Sequence, residues 1–400
     1  MPSARLSSGG YIRRRTFPHT MSHQALYLDT ARDTSNFLRS IANVDLLALD
    51  TEGASFHRYV DRIYLLQLST RDRSAIIDPL PIGKPVELGV LLENPALQVV
   101  FHDADYDLRL LHQDYGWHVR NIFDTRVAAQ LLGIRAFGLA ALLEKYFGVK
   151  LDKKHQRADW SMRPLTRDML DYAAQDTMHL LGLRDRLADE LKRARRWAWA
   201  EEEFTRLEET RWEDEDESSA FLRMKGARDL NRRELAILRE LVAWRNAVAR
   251  KADRATFRVL GNEPMFDIAR GKPATREALA AIKGMPRSQL DRFAFDLLDA
   301  VRRGLALPES ELPRFPKAMR WERDPDFDAR VSALRSVRDL AAARLDMDPG
   351  VLCARDRLEA VARKNPTTIE ELYAIPELRR WQIAELGEEF LEALKIGAKS

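Results

Sequence analysis

The sequence Leu-Leu-Ala-Leu-Asp-Thr-Glu at residues 46–52 is an apolar run of strand length that ends in two carboxylates. Side chains two positions apart in a strand point to the same face of a sheet, so we expect Asp50 and Glu52 to project together from the end of a buried strand. Two adjacent carboxylates repel each other unless a cation lies between them, and Mg²⁺ and Mn²⁺ favour such oxygen ligands. The stretch therefore predicts a metal site, and a solvated acidic pair at a strand end is the alternative.

The composition is that of a globular protein. Of the 400 residues, 45% are hydrophobic and 32% are charged, and the length predicts two or three domains. No apolar run is long enough to cross a bilayer, so we expect no membrane partner. The single cysteine, Cys353, excludes an intramolecular disulfide and disfavours a cysteine-based zinc site, which fits a reducing cytoplasm.

The first half of the chain alternates between strand and helix patterns. The apolar runs at 46–50, 63–68 and 74–77 are close together and predict an antiparallel meander, and 98–102 predicts another buried strand. Helical periods follow, including one long helix at 168–191. Strands followed by alternating strands and helices predict an α/β domain with a mixed sheet flanked by helices.

The second half has only helical patterns. The segments 225–305 and 325–395 share a rhythm of a long helix, a short turn and further helices, which predicts two diverged copies of one all-α bundle. The first copy holds 18 Lys/Arg and 10 Asp/Glu, a balance of 18 − 10 = +8, whereas residues 201–217 hold ten acids against two arginines. A basic module after an acidic hinge is compatible with nucleic-acid binding, and ordinary solvated helix faces are the alternative.

These patterns divide the chain into six segments. We expect a basic extension at 1–20, an α/β domain at 21–200, an acidic linker at 201–224, a helical bundle at 225–305, a proline-rich linker at 306–324 and a second bundle at 325–395. The extension is rich in arginine and lacks acids, which also occurs in organellar presequences. No amphipathic face is evident, so a flexible arm or an extension upstream of a start at Met21 is favoured.

Further acids and a tyrosine can join the strand-end pair. Tyr172 and Asp176 lie four positions apart on a predicted helix and so share one face. Asp107 follows the strand at 98–102 and can lie in the first turn of a helix. Asp103 and Asp105 compete with it for any role, and either of these two could be the helix N-cap. Each of these residues, taken alone, also fits an ordinary packing or capping role.

Taken in order, the motifs resemble the ribonuclease D family of DEDDy 3′–5′ exonucleases. The resemblance rests on the acids and the tyrosine above and on three further stretches: Asp124-Thr125, Leu151-Asp152-Lys153-Lys154, and the run from Arg157 through Asp159-Trp160 to Arg163-Pro164-Leu165-Thr166. The two helical bundles resemble HRDC domains, the helicase and RNase D C-terminal modules. The resemblance implies an RNase H-like fold for the first domain. After Glu52 this chain has Gly53-Ala54-Ser55, where many relatives carry an aromatic residue.

The resemblance also implies roles for individual residues. Asp50 would bridge two divalent ions, Mg²⁺ or Mn²⁺, with Glu52 and Asp176 at the first ion and Asp107 at the second. Tyr172 would orient the attacking water. A monomeric enzyme of this kind would release nucleoside 5′-monophosphates from a free RNA 3′ end, as in trimming tRNA precursors. A proofreading-type DNA exonuclease and a non-catalytic nucleic-acid-binding protein are the alternatives.

Contacts to nucleic acid are the least specific part of the prediction. The candidates are Arg58, Arg62, His102, Lys153 and Trp160. For the cations the alternative is ordinary surface charge, and for His102 and Trp160 it is packing.

Overall fold

The computed structural model describes residues 25–152, 154–214, 216–316 and 324–397, with backbone alone for 396–397. The predicted basic extension at 1–20 and the candidate contact Lys153 lie outside the described residues. Within this described part, no helix combines the length and the apolar character that a membrane span requires.

The N-terminal domain is built on one mixed sheet of six strands. Its strands are β1 (Leu26–Leu28), β2 (Leu46–Glu52), β3 (Leu65–Ser69), β4 (Ser74–Ile77), β5 (Gln98–Phe101) and β6 (Ile122–Asp124). They lie in the order β1-β4-β3-β2-β5-β6. The pairs β2–β3 and β3–β4 are antiparallel, whereas β1–β4, β2–β5 and β5–β6 are parallel. The predicted mixed sheet and its meander are thus confirmed.

The central strand β2 is covered on both faces. Leu46 and Ala48 belong to the core formed with the later helices, whereas Leu47 and Leu49 belong to the core on the opposite face. This alternation follows from the two-residue period of a strand. It also places Asp50 and Glu52 on the face of Leu46 and Ala48, and Thr51 on the other.

Nine helices of the described chain surround this sheet. They are α1 (Ala31–Ser40), α2 (Pro79–Ile82), α3 (Val86–Leu92), α4 (Asp105–Tyr115), α5 (Thr125–Leu131), α6 (Leu139–Phe147), α7 (Arg167–Met178), α8 (Leu180–Arg193) and α9 (Trp197–Leu207). The prediction of a single helix at 168–191 is wrong, because the helix is interrupted at His179. α7 packs on β2, β3 and β4, whereas α8 packs on α5, β2 and β5. The two helices therefore pack on different parts of the domain.

The C-terminal half consists of two helical modules. Module 1 contains α10 (Ala220–Arg223), α11 (Arg232–Ala252), α12 (Thr256–Val259), α13 (Asn262–Gly271), α14 (Arg276–Ala280) and α15 (Arg287–Ala306). Module 2 contains α16 (Phe327–Leu345), α17 (Pro349–Leu352), α18 (Arg355–Lys364), α19 (Ile369–Tyr373) and α20 (Arg380–Gly397). Here too the prediction of an all-α region is confirmed.

The two modules repeat each other with a constant offset. The left-handed residue that ends the first long helix is Asp253 in module 1 and Asp346 in module 2, and 346 − 253 = 93. The same offset relates the left-handed caps Lys272 and Asn365. Such backbone positions are uncommon for residues other than glycine, so their recurrence at one spacing supports the predicted repeat.

Module 2 shares a core with the N-terminal domain. The rings of Trp199 in α9 and Trp381 in α20 stack with centroids 4.7 Å apart. The Glu202 carboxylate accepts the N–H groups of Arg380 and Trp381 at 2.8 and 3.0 Å. α9 therefore extends into the segment predicted as an acidic linker, where one of its acids caps a distant helix. The domain boundaries themselves remain predictions.

Candidate active site

Three carboxylates converge where β2 meets α7. Asp50, Glu52 and Asp176 each offer an oxygen atom, and these atoms lie within 4.8 Å of one another. Asp50 and Glu52 share a face because they are two positions apart in β2, and α7 packs across that face. All three residues are partly buried. Hard divalent cations favour such a set of oxygen donors.

The closeness of these groups makes their ionisation costly. Burial and then the charge of Asp176 raise the pKa of Asp50 well above its ordinary value, and burial followed by Asp50 and Asp176 does the same to Glu52. Burial and the charge of Asp107 raise the pKa of Asp176 to about 7. At neutral pH the cluster therefore favours either a retained proton or a bound cation, which removes the repulsion among the carboxylates.

Asp107 reaches the cluster from the opposite face of the sheet. It lies in the first turn of α4, is buried, and its Oδ1 accepts the Thr51 N–H at 3.0 Å and the Thr51 hydroxyl at 2.6 Å. Asp107 is not among the acids within 4.8 Å of one another, but its charge contributes to the raised pKa values of Glu52 and Asp176. It thus lies beside the strand end with one carboxylate oxygen anchored.

The structure also separates Asp107 from its two competitors. Asp103 and Asp105 are exposed and pair with Arg126 and Arg109, respectively. Neither caps α4, because Ala104 is its N-cap residue and no side chain bonds there. The sequence expectation that one of these acids is the cap is therefore wrong.

Tyr172 lies one turn before Asp176 on α7. Its ring stacks on Trp160, with centroids 6.1 Å apart, and meets the ring of His155 edge-on at 5.8 Å. Burial, followed by the charges of Asp176 and Glu52, raises the pKa of Tyr172 above its ordinary range. The phenol therefore stays neutral at physiological pH and can donate or accept a hydrogen bond at the cluster.

Two polar residues next to the cluster escaped sequence reasoning. Gln67 in β3 is fully buried and pairs directly with Asp50 across the sheet, which places both side chains on the same face. Its amide lowers the pKa of Glu52, yet neither amide atom reaches hydrogen-bond geometry with any described residue. The available signal was one polar residue inside the apolar run at 63–68. The second missed residue is Thr51, the anchor of Asp107.

The predicted nucleic-acid contacts fall into different environments. Trp160 is only 2% exposed, so the packing interpretation applies to it. Burial lowers the pKa of His102 to about 4, and its Nδ1 lies 2.9 Å from the Thr125 hydroxyl, so the ring is neutral and partly enclosed. Arg58 donates to the Ser161 hydroxyl at 2.6 Å and pairs with Asp253 of module 1, whereas Arg62 is exposed.

Comparison with known proteins agrees with this architecture. The family described as 3′-5′ exonuclease matches residues 26–192, and the HRDC domain family matches 234–301 and 327–394. Ribonuclease D of Nitrobacter hamburgensis is 30% identical over 373 residues, which span 92% of this chain and 95% of that protein.

Solved structures extend the similarity to the whole fold. Escherichia coli RNase D, described as an exoribonuclease involved in structured RNA processing, aligns with a TM-score of 0.71 at 25% identity over 94% of this chain and 99% of its own. A Bifidobacterium adolescentis protein aligns with a TM-score of 0.80 at 25% identity over 93% of this chain and 97% of its own. The resemblance noted from the motifs is thereby confirmed, and the chain belongs to the ribonuclease D family of 3′–5′ exoribonucleases.

Proposed function

We propose that this protein removes nucleotides from the free 3′ ends of RNA, releasing nucleoside 5′-monophosphates, with two divalent ions held by Asp50, Glu52, Asp107 and Asp176. The observation that carries the proposal is the convergence of Asp50, Glu52 and Asp176 within 4.8 Å. Phosphodiester hydrolysis adds negative charge to a centre that is already anionic. Four uncompensated carboxylates would oppose that change, so the site requires cations.

The residues fit this role by position. Asp50 interacts through its charge with each of the other three acids and would contact both ions, with Glu52 and Asp176 completing the first site. The Oδ1 atom of Asp107 is occupied by Thr51, which leaves Oδ2 for the second site, directly or through water. The bound ions would supply a nucleophilic water at neutral pH and charge compensation for the leaving oxygen.

Tyr172 would position the attacking water. A phenol with a raised pKa is a poor base near neutral pH, but it can fix the orientation of a water by hydrogen bonding. The rings of Trp160 and His155 lie against the Tyr172 ring on two sides and limit the movement of its side chain. The role of Tyr172 is therefore orientation and not proton removal.

The substrate assignment rests on similarity and on charge. The Escherichia coli relative is described as acting in structured RNA processing, and module 1 carries an excess of basic residues. We therefore assign precursor RNAs with single-stranded 3′ ends, tRNA precursors among them, as substrates of a monomeric cytoplasmic enzyme. The buried free thiol of Cys353 fits a reducing compartment.

Digestion of end-labelled RNA tests the proposal. A 5′-labelled oligomer with a 3′-hydroxyl should shorten one nucleotide at a time with Mg²⁺ or Mn²⁺, and neither EDTA-treated enzyme nor the Asp50→Ala variant should shorten it. A 3′-phosphate end should block the reaction. Cleavage by the pure protein that resists EDTA would refute the metal mechanism.

The two alternative functions are separated by the same assay. Matched DNA and RNA oligomers distinguish the proofreading-type exonuclease, which would degrade DNA at least as fast as RNA. If wild-type protein and the Asp50→Ala variant both bind RNA and neither shortens it, the protein is a binding module with an inactive nuclease fold.

A further inference from the structure

Two aromatic side chains remain exposed where module 1 meets the N-terminal domain. Phe56 lies in the loop after β2, four residues beyond Glu52, and Phe257 is the second residue of α12. Their rings meet edge-on, with centroids 6.3 Å apart and an interplanar angle of 75°. The exposed fractions are 47% for Phe56 and 52% for Phe257. Both rings therefore keep a large solvent-facing surface although they touch each other.

Backbone and side-chain contacts hold this junction in place. The Arg258 Nε donates to the Phe56 carbonyl at 2.6 Å, and the Ala255 N–H donates to the His57 carbonyl at 3.1 Å. These bonds fix the two aromatic residues through their immediate neighbours. The exposed faces thus belong to a preorganised surface, which lowers the entropic cost of binding a planar group.

Positive charge surrounds the two rings. The Arg157 guanidinium lies 5.4 Å from the centroid of Phe56, and that of Arg258 lies 5.9 Å from the centroid of Phe257. Both arginines are exposed, and neither forms an ion pair with a carboxylate among the described residues. At the same junction Arg58 does pair with Asp253. Aromatic faces beside uncompensated cations are typical of surfaces that bind single-stranded nucleic acid.

The junction is continuous with the candidate active site. His57, next to Phe56, lies 3.5 Å from the carboxylate of Asp159, and the following residue, Trp160, stacks on Tyr172. The loop after β2 and the segment around 157–160 therefore border both places. A strand whose 3′ end lies at the acids can reach Phe56 along this border.

We propose that Phe56 and Phe257 form a stacking site for a base upstream of the scissile nucleotide, with Arg157 and Arg258 contacting the neighbouring phosphates. The site recognises single-stranded RNA without a preference for sequence, because every base offers a stacking face. It is shared by two domains, so module 1 contributes directly to the RNA path. The proposal rests on the exoribonuclease function given above.

Binding measurements test the site, and they use the full-length Asp50→Ala protein because this variant should leave the RNA intact. Fluorescence anisotropy with a labelled single-stranded oligomer should show a Kd for Phe257→Leu that is raised roughly 5- to 150-fold, the range for loss of one stacked base. Leucine keeps an apolar contact with Phe56 but lacks an aromatic face. Phe257→Trp should bind at least as tightly as the parent, whereas a purely structural residue would tolerate leucine better than tryptophan.

Phe295 provides the matched control. It lies on α15 of the same module, is 78% exposed, and has Asp296 beside it. Phe295→Leu should leave the RNA affinity unchanged. A loss of affinity equal to that of Phe257→Leu would overturn the proposal, because it would indicate a general effect on module 1.

An abasic scan locates the stacked base. A single abasic nucleotide, moved one position at a time from the 3′ end, should weaken binding to the parent at one upstream position. In the Phe257→Leu background that position should no longer matter, since the same interaction cannot be lost twice. Equal sensitivity at every position in both backgrounds would overturn the proposal. Failure of wild-type enzyme to degrade any RNA would instead refute the exoribonuclease function.

Discussion

Replacing Asp176 by asparagine should make the stability of the metal-free protein less sensitive to rising pH. In an unfolded chain this carboxyl group loses its proton near its ordinary pKa of 3.8, whereas in the folded protein its pKa is about 7. Between these values the folded state binds a proton that the unfolded state has lost. The free energy of unfolding therefore falls as the pH rises from about 4 to about 7, and above that range the loss is complete.

The size of the effect follows from the difference between the two pKa values. A rise from 3.8 to about 7 spans about three pH units, and at about 1.4 kcal/mol per unit this corresponds to roughly 4 kcal/mol. For a domain of this size, that amounts to a decrease in Tm of the order of 10 °C. Asparagine is similar in shape and cannot ionise, so it removes this contribution. Because the pKa values of Asp50 and Glu52 are also raised, the free energy of unfolding of the variant still falls with rising pH, but by less than that of the wild type.

Thermal unfolding in EDTA at pH 5 and pH 8 measures about two of these three pH units, so roughly 3 kcal/mol of the effect. The Tm of the wild type should be lower at pH 8 than at pH 5, and adding Mg²⁺ should restore it. The difference in Tm between the two pH values should be smaller for Asp176→Asn. The burial that lowers the pKa of His102 to about 4 acts in the opposite direction below pH 6.5, and comparing the variants cancels it. Asp171→Asn, at an exposed position of the same helix, should behave as wild type. An equal fall for Asp176→Asn and wild type would refute the reasoning.

Three further substitutions test other parts of the structure. Tyr172→Phe should lower kcat by at least tenfold with little change in KM for RNA, because the hydroxyl orients water and does not bind substrate. Gln67→Leu should raise the Mg²⁺ concentration for half-maximal rate several-fold, because leucine removes the amide beside Glu52, and an unchanged Mg²⁺ requirement would exclude such a role. Gly133→Ala should lower Tm more than Gly148→Ala, since both backbones are left-handed but only at Gly133 would a Cβ lie 2.0 Å from the Asp346 carbonyl of module 2.

Local sequence patterns were sufficient for the parts of the site that depend on local geometry. Asp50 and Glu52 share a face because a strand repeats every two residues, and Tyr172 and Asp176 share one because a helix repeats every 3.6. The choice of Asp107 over its neighbours could not be made in this way. Three acids within five positions have the same local pattern, and only packing against β2 determines which one is buried beside Thr51.

The remaining features depend on contacts between distant segments. The position of Gln67 beside Asp50 depends on the pairing register of β3 with β2, which the apolar run alone does not predict. The break at His179 has no glycine or proline to signal it, because α7 and α8 separate to follow different supports. Glu202 belongs to an acidic stretch that resembles a solvated hinge, yet its partners lie almost 180 positions later.

The two modules contact the N-terminal domain through equivalent positions of the repeat. Each module meets the N-terminal domain at the corner where its first long helix ends. In module 1 the Asp253 carboxylate contacts Arg58 and the Tyr59 N–H, and in module 2 the Asp346 carbonyl packs on Gly133.

At the next turn the sequences diverge. With the offset of 93, Phe257 and Arg258 of module 1 correspond to Gly350 and Val351 of module 2. Module 2 thus has small apolar residues at this position, where α17 packs against α5, and it shares a buried core with the N-terminal domain. Removing module 2 would therefore expose Trp199 and confound any truncation experiment. Module 1 has an aromatic ring and a cation at the same place, both open to solvent beside the loop that follows Glu52. The same corner of the repeat therefore serves as a structural support in module 2 and, in module 1, carries the groups that we propose bind RNA.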